Sequence, residues 1–321
     1  MDYSKLNDII KSSKNILIIS HVNPDGDTLG SMCGLCSAIL DIYKKRCDML
    51  AISKIPDVYS FLPHISDVKN VDDVDKSREY DLVINVDVAS IERTCDAQIL
   101  FEKAKFTVNI DHHKTNNAYG DLNFINPDAS STGEVLFDCF RNMAWKINYD
   151  TAVCLYTAIL TDTGSFRFDN TKPSTFETAS KLVELGVQPS DIYKRVYESD
   201  SKTLVMFQAY CISKAKFLDD DKIAYTVVYK KDMEKFSAGD DCMEGLTEKL
   251  RAIVTTRIAF VAKEMKSGGT KISMRSKFAD VAEICAVFGG GGHKFAAGCT
   301  IKAPVEQAVK RMLDEIKKRE I

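Results

Sequence analysis

The sequence predicts an α/β protein whose N-terminal part is built on a mainly parallel sheet and is joined by a linker to a smaller α+β unit. Three observations predict it. The runs Ile16–Ser20, Leu82–Val86 and Phe106–Ile110 are almost continuously apolar rather than alternating, which suits strands buried on both faces. Helix-like stretches separate them, as a parallel sheet requires of its crossovers. Beyond about residue 186 the alternation stops and the pattern becomes mixed. The chain has 321 residues, 45% apolar and 28% charged, enough for about two domains and too apolar for a disordered polymer.

Taken in order, Ile16–Ser20 is the first strand, and Thr28–Tyr43 follows as a helix. Within it, SMCGLCSAIL holds a C-x-x-C pair, Cys33 and Cys36, but no second pair completes a zinc set, so the small residues read as a buried helix. Leu82–Val86 and Phe106–Ile110 are the next clear strands. Ala152, Leu155, Tyr156, Ile159 and Leu160 recur at helical spacing and run into TDTGSF, which places Asp162 at a helix end. The segment 186–203 is polar and contains Gly186 and Pro189, as a connection between domains would, and it is expected to be partly helical. After it come an alternating run Ile223–Tyr229, a helix near Leu246–Ile253, strands near Ile258–Ala262 and Thr270–Met274, and Phe288 followed by four glycines. The expected boundaries are a first domain over 1–187, a linker over 188–203 and a second domain over 204–321.

No apolar run approaches the ~20 residues of a membrane span, and MDYSKLNDIIKSSK lacks the pattern of a signal peptide, so a cytoplasmic protein with reduced thiols at its ten cysteines is expected. The net charge of −3 hides an asymmetry. Residues 1–200 carry 21 Lys+Arg against 30 Asp+Glu, and residues 201–321 carry 22 against 16, so an acidic part of −9 precedes a basic part of +6.

The three clear strands each lead into side chains able to bind metal. Ile16–Ser20 runs into His21, Asp25 and Asp27 of HVNPDGD, Leu82–Val86 into Asp87, and Phe106–Ile110 into Asp111, His112 and His113. Open α/β sheets place their sites beyond the carboxyl ends of the strands, so these three clusters should converge, with Asp162 as a fourth contributor. Singly, an aspartate at a strand end is more often a turn or cap residue. Yet four of the five histidines, His21, His112, His113 and His293, fall in such segments, and only His64 does not. Imidazole and carboxylate without thiolate fit Mn²⁺, Mg²⁺ or Co²⁺. With Asp87 between them, two divalent ions would form the clamp used in phosphoryl transfer, and they would neutralise Asp25, Asp27, Asp87 and Asp162. In the basic part, Gly290, Gly291 and Gly292, with Gly289 before them and His293 after, offer backbone N–H groups to an anion, and Arg275 adds a guanidinium fork, with Lys271 and Lys277 close in sequence. A flexible loop and a solvated strand face are the plainer readings of those two features.

Together these segments resemble the DHH/DHHA1 phosphoesterase family over nearly the whole chain. HVNPDGDTLGS, DVAS at Asp87–Ser90, Asp111–His112–His113 and TDTGSFRF around Asp162 occur in the family's order, and GGGGHKFAAG at 289–298 is similar to the DHHA1 substrate-binding motif. The resemblance implies a parallel-sheet DHH domain and a DHHA1 domain with the active site in the cleft between them. It implies that His21, Asp25 and Asp87 hold one metal and that Asp27, Asp87, His112 and Asp162 hold the other, with Mn²⁺ the expected ion. His113 would face the scissile phosphate, Asp111 would orient its neighbours, and Arg275, the glycines and His293 would hold a far phosphate.

The two-domain form is similar to nanoRNase/pAp-phosphatase proteins. The implied substrates are single-stranded RNAs of two to five nucleotides and 3′-phosphoadenosine 5′-phosphate (pAp), and homodimerisation follows only by analogy. Stand-alone phosphodiesterases acting on cyclic-di-AMP or pApA share the motifs and are the alternative. An inorganic pyrophosphatase conflicts with the GGGGH segment, and a nucleotide-binding module without catalysis leaves the carboxylate and histidine clusters unexplained.

Overall fold

Alternate residues of the first strand, β1 (Ile16–Ile19), face different cores: Ile16 and Ile18 join one apolar cluster, and Leu17 and Ile19 join another on the opposite face. That two-sided burial is what the continuous apolar run dictates. The structure is a computed structural model that describes residues 2–266 and 268–319. Within these, β1 is joined by β2 (Asp48–Ala51), β3 (Val68–Asn70), β4 (Leu82–Val86), β5 (Thr107–Asp111) and β6 (Leu122–Ile125) in a six-stranded, all-parallel sheet of order β3-β2-β1-β4-β5-β6. The order reverses between β1 and β4, so the connections leaving these two neighbours part and open a crevice at their carboxyl ends.

One face of the sheet carries α1 (Tyr3–Ser12), α2 (Gly26–Tyr43), α4 (Thr132–Asn142) and α5 (Tyr149–Asp162), with α6 (Pro173–Glu184) and α7 (Pro189–Tyr197) adding to the same core. The other face carries α3 (Gln98–Glu102) and the 3₁₀ turns before it. Helix α2 is buried from Gly26 to Ile39 and packs antiparallel on α5. Gly26, Gly30 and Gly34, spaced four apart on one helix face, meet Thr161, Ala158 and Leu155 in turn. A Cβ at Gly30 would lie 2.5 Å from the Cys154 carbonyl oxygen. The glycine stripe thus lets the two backbones approach closely, and the antiparallel crossing brings the start of α2, with Asp25 and Asp27, beside the end of α5 at Asp162.

The second sheet has the order β11-β12-β10-β9-β8-β7. It comprises β7 (Lys216–Leu218), β8 (Ile223–Val228), β9 (Ile258–Glu264), β10 (Thr270–Ser276), β11 (Gly291–His293) and β12 (Ala296–Ile301). Only β8 and β9 pair in parallel. On one face lie α11 (Val281–Ala286) and α12 (Val305–Ile316), and on the other α8 (Lys202–Ser213) and α10 (Leu246–Arg251). Helix α9 (Lys230–Phe236) contacts α8. This is the expected smaller α+β unit.

The chain divides into two units between Ser199 and Asp200. The segment 188–203, expected as a connection, is largely α7, whose Ile192, Val196 and Tyr197 pack into the first core. The segment is helical in part, as expected, but that helix belongs to the first unit. Among the described residues all ten cysteines are free thiols, Cys33 and Cys36 being buried on α2, and no helix is long and apolar enough to cross a membrane.

The close α2–α5 contact leads to a stability prediction. Replacing Gly30 with Ala forces a methyl against the Cys154 carbonyl, and urea unfolding is expected to show a loss of about 1–3 kcal/mol, the usual cost of overpacking a core. Unchanged stability would show that the helices can separate freely there.

Candidate metal centre

The carboxyl ends of β1, β4 and β5 deliver three groups of side chains to one edge. After β1 come Ser20 and His21, after β4 comes Asp87, and β5 ends at Asp111 with His112 and His113 following. Asp87 takes φ +60, a left-handed conformation that costs energy for a residue with a Cβ. Its neighbour Val88 is locked in place. The Val88 carbonyl accepts from Asn109 Nδ2 at 3.1 Å, Asn116 Nδ2 at 3.1 Å and the Tyr119 hydroxyl at 2.9 Å. Asp25 is the N-cap of α2, accepting from the Thr28 N–H, and Asp27 lies in the first turn of that helix. Asp162 is the last residue of α5.

All eight residues expected from the first domain are brought together, as three overlapping groups of ligand atoms, each group lying within 4.8 Å: His21, Asp25 and Asp87; Asp27, His112 and Asp162; and Asp87, Asp111, His112 and His113. Asp87 is shared. Its Oδ2 lies 3.4 Å from His21 Nε2, and its Oδ1 lies 3.7 Å from His112 Nε2. His112 Nε2 is also 3.7 Å from Asp27 Oδ2 and 3.5 Å from Asp162 Oδ2. His21 Nδ1 is 2.8 Å from the Val22 carbonyl, which can only accept, so Nδ1 carries a proton and Nε2 is the nitrogen turned to the Asp87 carboxylate. Imidazole nitrogens and carboxylate oxygens with no sulfur make a donor set suited to hard or borderline divalent ions.

Asp111 is fully buried, and both of its oxygens are engaged. Oδ1 accepts from the His112 N–H at 2.8 Å and holds His113 Nδ1 at 2.7 Å, while Oδ2 accepts from Asn116 Nδ2 at 2.6 Å. It thus holds His112 through its main chain and His113 through its ring. Asn116, Asn109 and Tyr119 tie this aspartate to the Val88 carbonyl, and so tie the β5 cluster to Asp87. Sequence reasoning missed them; the one available signal was the amide pair Asn116–Asn117, three residues after His113.

The charges at this edge shift one another. Burial, followed by the charges of Asp87, Asp162 and Asp25, raises the Asp27 carboxyl well above the carboxylate range. Burial also raises Asp162, to about 6, with Asp87 and Asp25 adding to the effect and His112 opposing it. Asp87 moves the other way: burial pushes it up, but the hydrogen bond and charge of His21, with His112 and His113 behind them, hold it below its usual value. His113 is raised to about 9, chiefly by its bond to Asp111. Without cations, then, the cluster favours protons at Asp27 and Asp162 to limit carboxylate repulsion. Divalent ions would replace those protons.

The residues expected from the second domain gather within the second unit. Arg275 on β10 and His293 on β11 are both in register with Ala296 on β12, so the three side chains share one face of the sheet. Arg275 Nε donates to Glu248 Oε1 at 2.7 Å, and Nη1 donates to the Met274 carbonyl at 3.0 Å, which fixes the guanidinium. The glycine run is an ordered edge rather than an open loop. Gly291–His293 pairs with β12, and a Cβ at Gly290 would overlap the Gly298 carbonyl oxygen, so close strand approach already demands glycine there. Lys277 is used elsewhere, its Nζ donating to the Ile253 carbonyl at 2.6 Å.

The repulsion among the carboxylates can be read out directly. A carboxyl whose folded pKa is raised lends stability that is present below its unfolded value near 4 and is lost as pH rises toward about 6. In chelator at pH 7, Asp162→Asn should therefore melt above wild type, and the gap should close near pH 4. Mn²⁺ should reverse the order at pH 7, because only wild type keeps the full ligand set. Equal melting temperatures in chelator at pH 7 would remove the repulsion argument.

Comparisons with known proteins agree with this geometry. The DHH family N-terminal domain matches residues 15–159, and the DHHA1 domain matches residues 220–319. The bifunctional oligoribonuclease and PAP phosphatase NrnA of Thermus thermophilus is 30% identical over 94% of this chain and 89% of its own length. The protein of the same name from Bacillus subtilis is 28% identical over 89% of each chain. The crystal structure of an exopolyphosphatase-related protein from Bacteroides fragilis matches with a TM-score of 0.91 and 26% identity, covering 98% of this chain and 95% of that one. With both domain models matched in order and relatives alike from end to end, the chain belongs to the DHH phosphoesterase family, in the form that carries a C-terminal DHHA1 domain.

Proposed function

We propose that this protein is a metal-dependent phosphodiesterase that degrades very short oligoribonucleotides to mononucleotides and removes a phosphate from pAp. One observation carries the reading: imidazole and carboxylate groups from the ends of β1 and β5 meet at the two oxygens of Asp87, and His112 links them to Asp27 and Asp162. The names of the Thermus and Bacillus relatives support the substrate class. His21, Asp25 and Asp87 would hold one divalent cation, and Asp27, Asp87, His112 and Asp162 a second, Mn²⁺ being the ion proposed. Such cations supply Lewis-acid polarisation of the phosphoryl group and an activated water.

The chain's own groups do the rest. His113, its Nδ1 held by Asp111 and its side chain 42% exposed, presents its other nitrogen to the phosphoryl oxygens. With its pKa raised to about 9 it is charged at neutral pH, so it can donate to an oxygen on which negative charge develops. Asp111 keeps the ring in that orientation through its bond to Nδ1. Arg275 and His293, with the backbone of Gly290, Gly291 and Gly292, are proposed to bind a phosphate of the substrate remote from the reacting one. An anchored phosphate favours substrates of a few nucleotides, because it fixes which phosphodiester reaches the cations. Turnover of such fragments belongs in the cytoplasm, which is the proposed compartment.

The reading is tested by supplying purified protein with Mn²⁺ and a ladder of 5′-labelled RNAs from dinucleotides upward, with pAp, pApA and cyclic-di-AMP alongside. The shortest RNAs and pAp should be hydrolysed fastest, and a clear preference for cyclic-di-AMP would overturn the substrate assignment. Asp87→Ala should reduce hydrolysis to background, and near-wild-type turnover by that variant would refute the shared-ligand assignment. For the anchor, the double variant Arg275→Ala/His293→Ala should raise KM for 5′-phosphorylated dinucleotides while hydrolysing bis-p-nitrophenyl phosphate almost as wild type does. Equal losses on both substrates would rule the anchor out.

A further inference from the structure

A carboxylate can serve two ions only if its oxygens are kept facing different ways. In Asp87 they are already divided: Oδ2 faces His21 Nε2 at 3.4 Å, whereas Oδ1 faces His112 Nε2 at 3.7 Å and His113 Nδ1 at 3.6 Å. The backbone does not set the plane of an aspartate carboxylate, since its terminal torsion is broad. Two threonine hydroxyls do so here. Thr28 Oγ1 donates to Oδ2 at 2.6 Å, and Thr132 Oγ1 donates to Oδ1 at 3.0 Å. Both threonines are wholly buried.

Each threonine is in turn held by a helix start that serves another ligand. Thr28 lies in the first turn of α2, and its N–H donates to Asp25 Oδ1 at 3.0 Å. Its hydroxyl also lies 3.2 Å from Asp25 Oδ1 and 2.6 Å from His21 Nε2, so it touches every member of the first ligand group. Once a cation takes Nε2, the single hydroxyl proton is left to the carboxylates. Thr132 is the first residue of α4, whose end is capped by Ser131. Its N–H donates to Asp27 Oδ2 at 2.7 Å, and the Gly133 N–H donates to Asp27 Oδ1 at 3.0 Å. One turn of α4 therefore holds Asp27 with main-chain donors and Asp87 with a side-chain donor.

We propose that Thr28 and Thr132 are positioning residues that clamp Asp87 as a bridge, each hydroxyl occupying one lone pair of one oxygen and leaving the other lone pair to a different cation. A carboxylate oxygen has room for both partners. Without the hydroxyls the carboxylate is free to turn and give both oxygens to a single ion, and the pair of ions loses its common ligand. The proposal rests on the metal centre proposed above.

The test compares metal-stripped wild type with Thr28→Val and Thr132→Val, which keep the branched shape and delete the donor, and with Thr28→Ser and Thr132→Ser, which restore it. Mn²⁺ is titrated into each, with affinity followed by calorimetry and the ion pair by electron paramagnetic resonance, where two bridged Mn²⁺ give an exchange-coupled spectrum unlike that of isolated ions. Wild type and the serine variants should bind two ions with the coupled spectrum. Each valine variant should bind one of the ions about 10–100-fold more weakly, the usual effect of removing a residue that orients a ligand, and should show the isolated-ion signal. Valine variants that bind two ions at wild-type affinity with the coupled spectrum would overturn the proposal. If wild type itself fails to bind a pair of ions, the metal centre falls, and the clamp with it. Circular dichroism of the stripped variants reports folding, and an alanine variant replaces any valine variant that does not fold.

Discussion

Everything at the carboxyl edge of the first sheet follows from one electrostatic conflict: Asp25, Asp27, Asp87 and Asp162 are crowded into a small volume, Asp27 and Asp87 almost wholly withdrawn from water. The fold creates the conflict twice over. The antiparallel packing of α2 on α5 brings Asp25 and Asp27 against Asp162, and the divergence of the chain between β1 and β4 puts Asp87 beside them. Uncompensated, such a group would open the structure or stay protonated. Main-chain donors at the start of α4, hydroxyls from two threonines and three histidines each relieve part of it. None removes it, and the remainder is a standing demand for positive charge.

The basic surplus of the second part of the chain is partly engaged within its own unit. Lys277 is bound to main-chain carbonyls and Arg275 to Glu248, so composition overstates how much of that +6 is free. On that sheet Arg275 Nε and Nη1 are engaged within their own unit, and His293 is exposed. Charge counts along a sequence indicate a division of roles; the hydrogen bonds decide which charges take part.

The parts of the site that were legible in the sequence are those tied to strand ends. His21, Asp87 and Asp111 could be read because each follows an apolar run, and a parallel sheet leaves only one edge for them to meet at. Asp162 was legible because helical spacing stops there. Asp25 illustrates that the plain reading and the functional one can both hold: it caps α2 and also belongs to a ligand group. Thr28, Thr132 and Asn116 were not legible, since their importance lies in partners far away in sequence, and threonine and asparagine at a helix start or after a strand look like ordinary capping and turn residues. The glycine run was legible as a special backbone, but the sequence could not show that β12 presses against it. The helix over Pro189–Tyr197 was expected within a partly helical connection; that it packs on the first core rests on Ile192, Val196 and Tyr197, whose partners lie far away in sequence.

The left-handed backbone at Asp87 has a consequence for how this protein can change. Glycine would adopt φ +60 without strain, but it would take away the acceptor of the Thr28 and Thr132 hydroxyls and the carboxylate that faces His21, His112 and His113. A position chosen for its backbone alone would carry glycine. That an aspartate stands there in a strained conformation means the side chain, and not the turn, decides the residue.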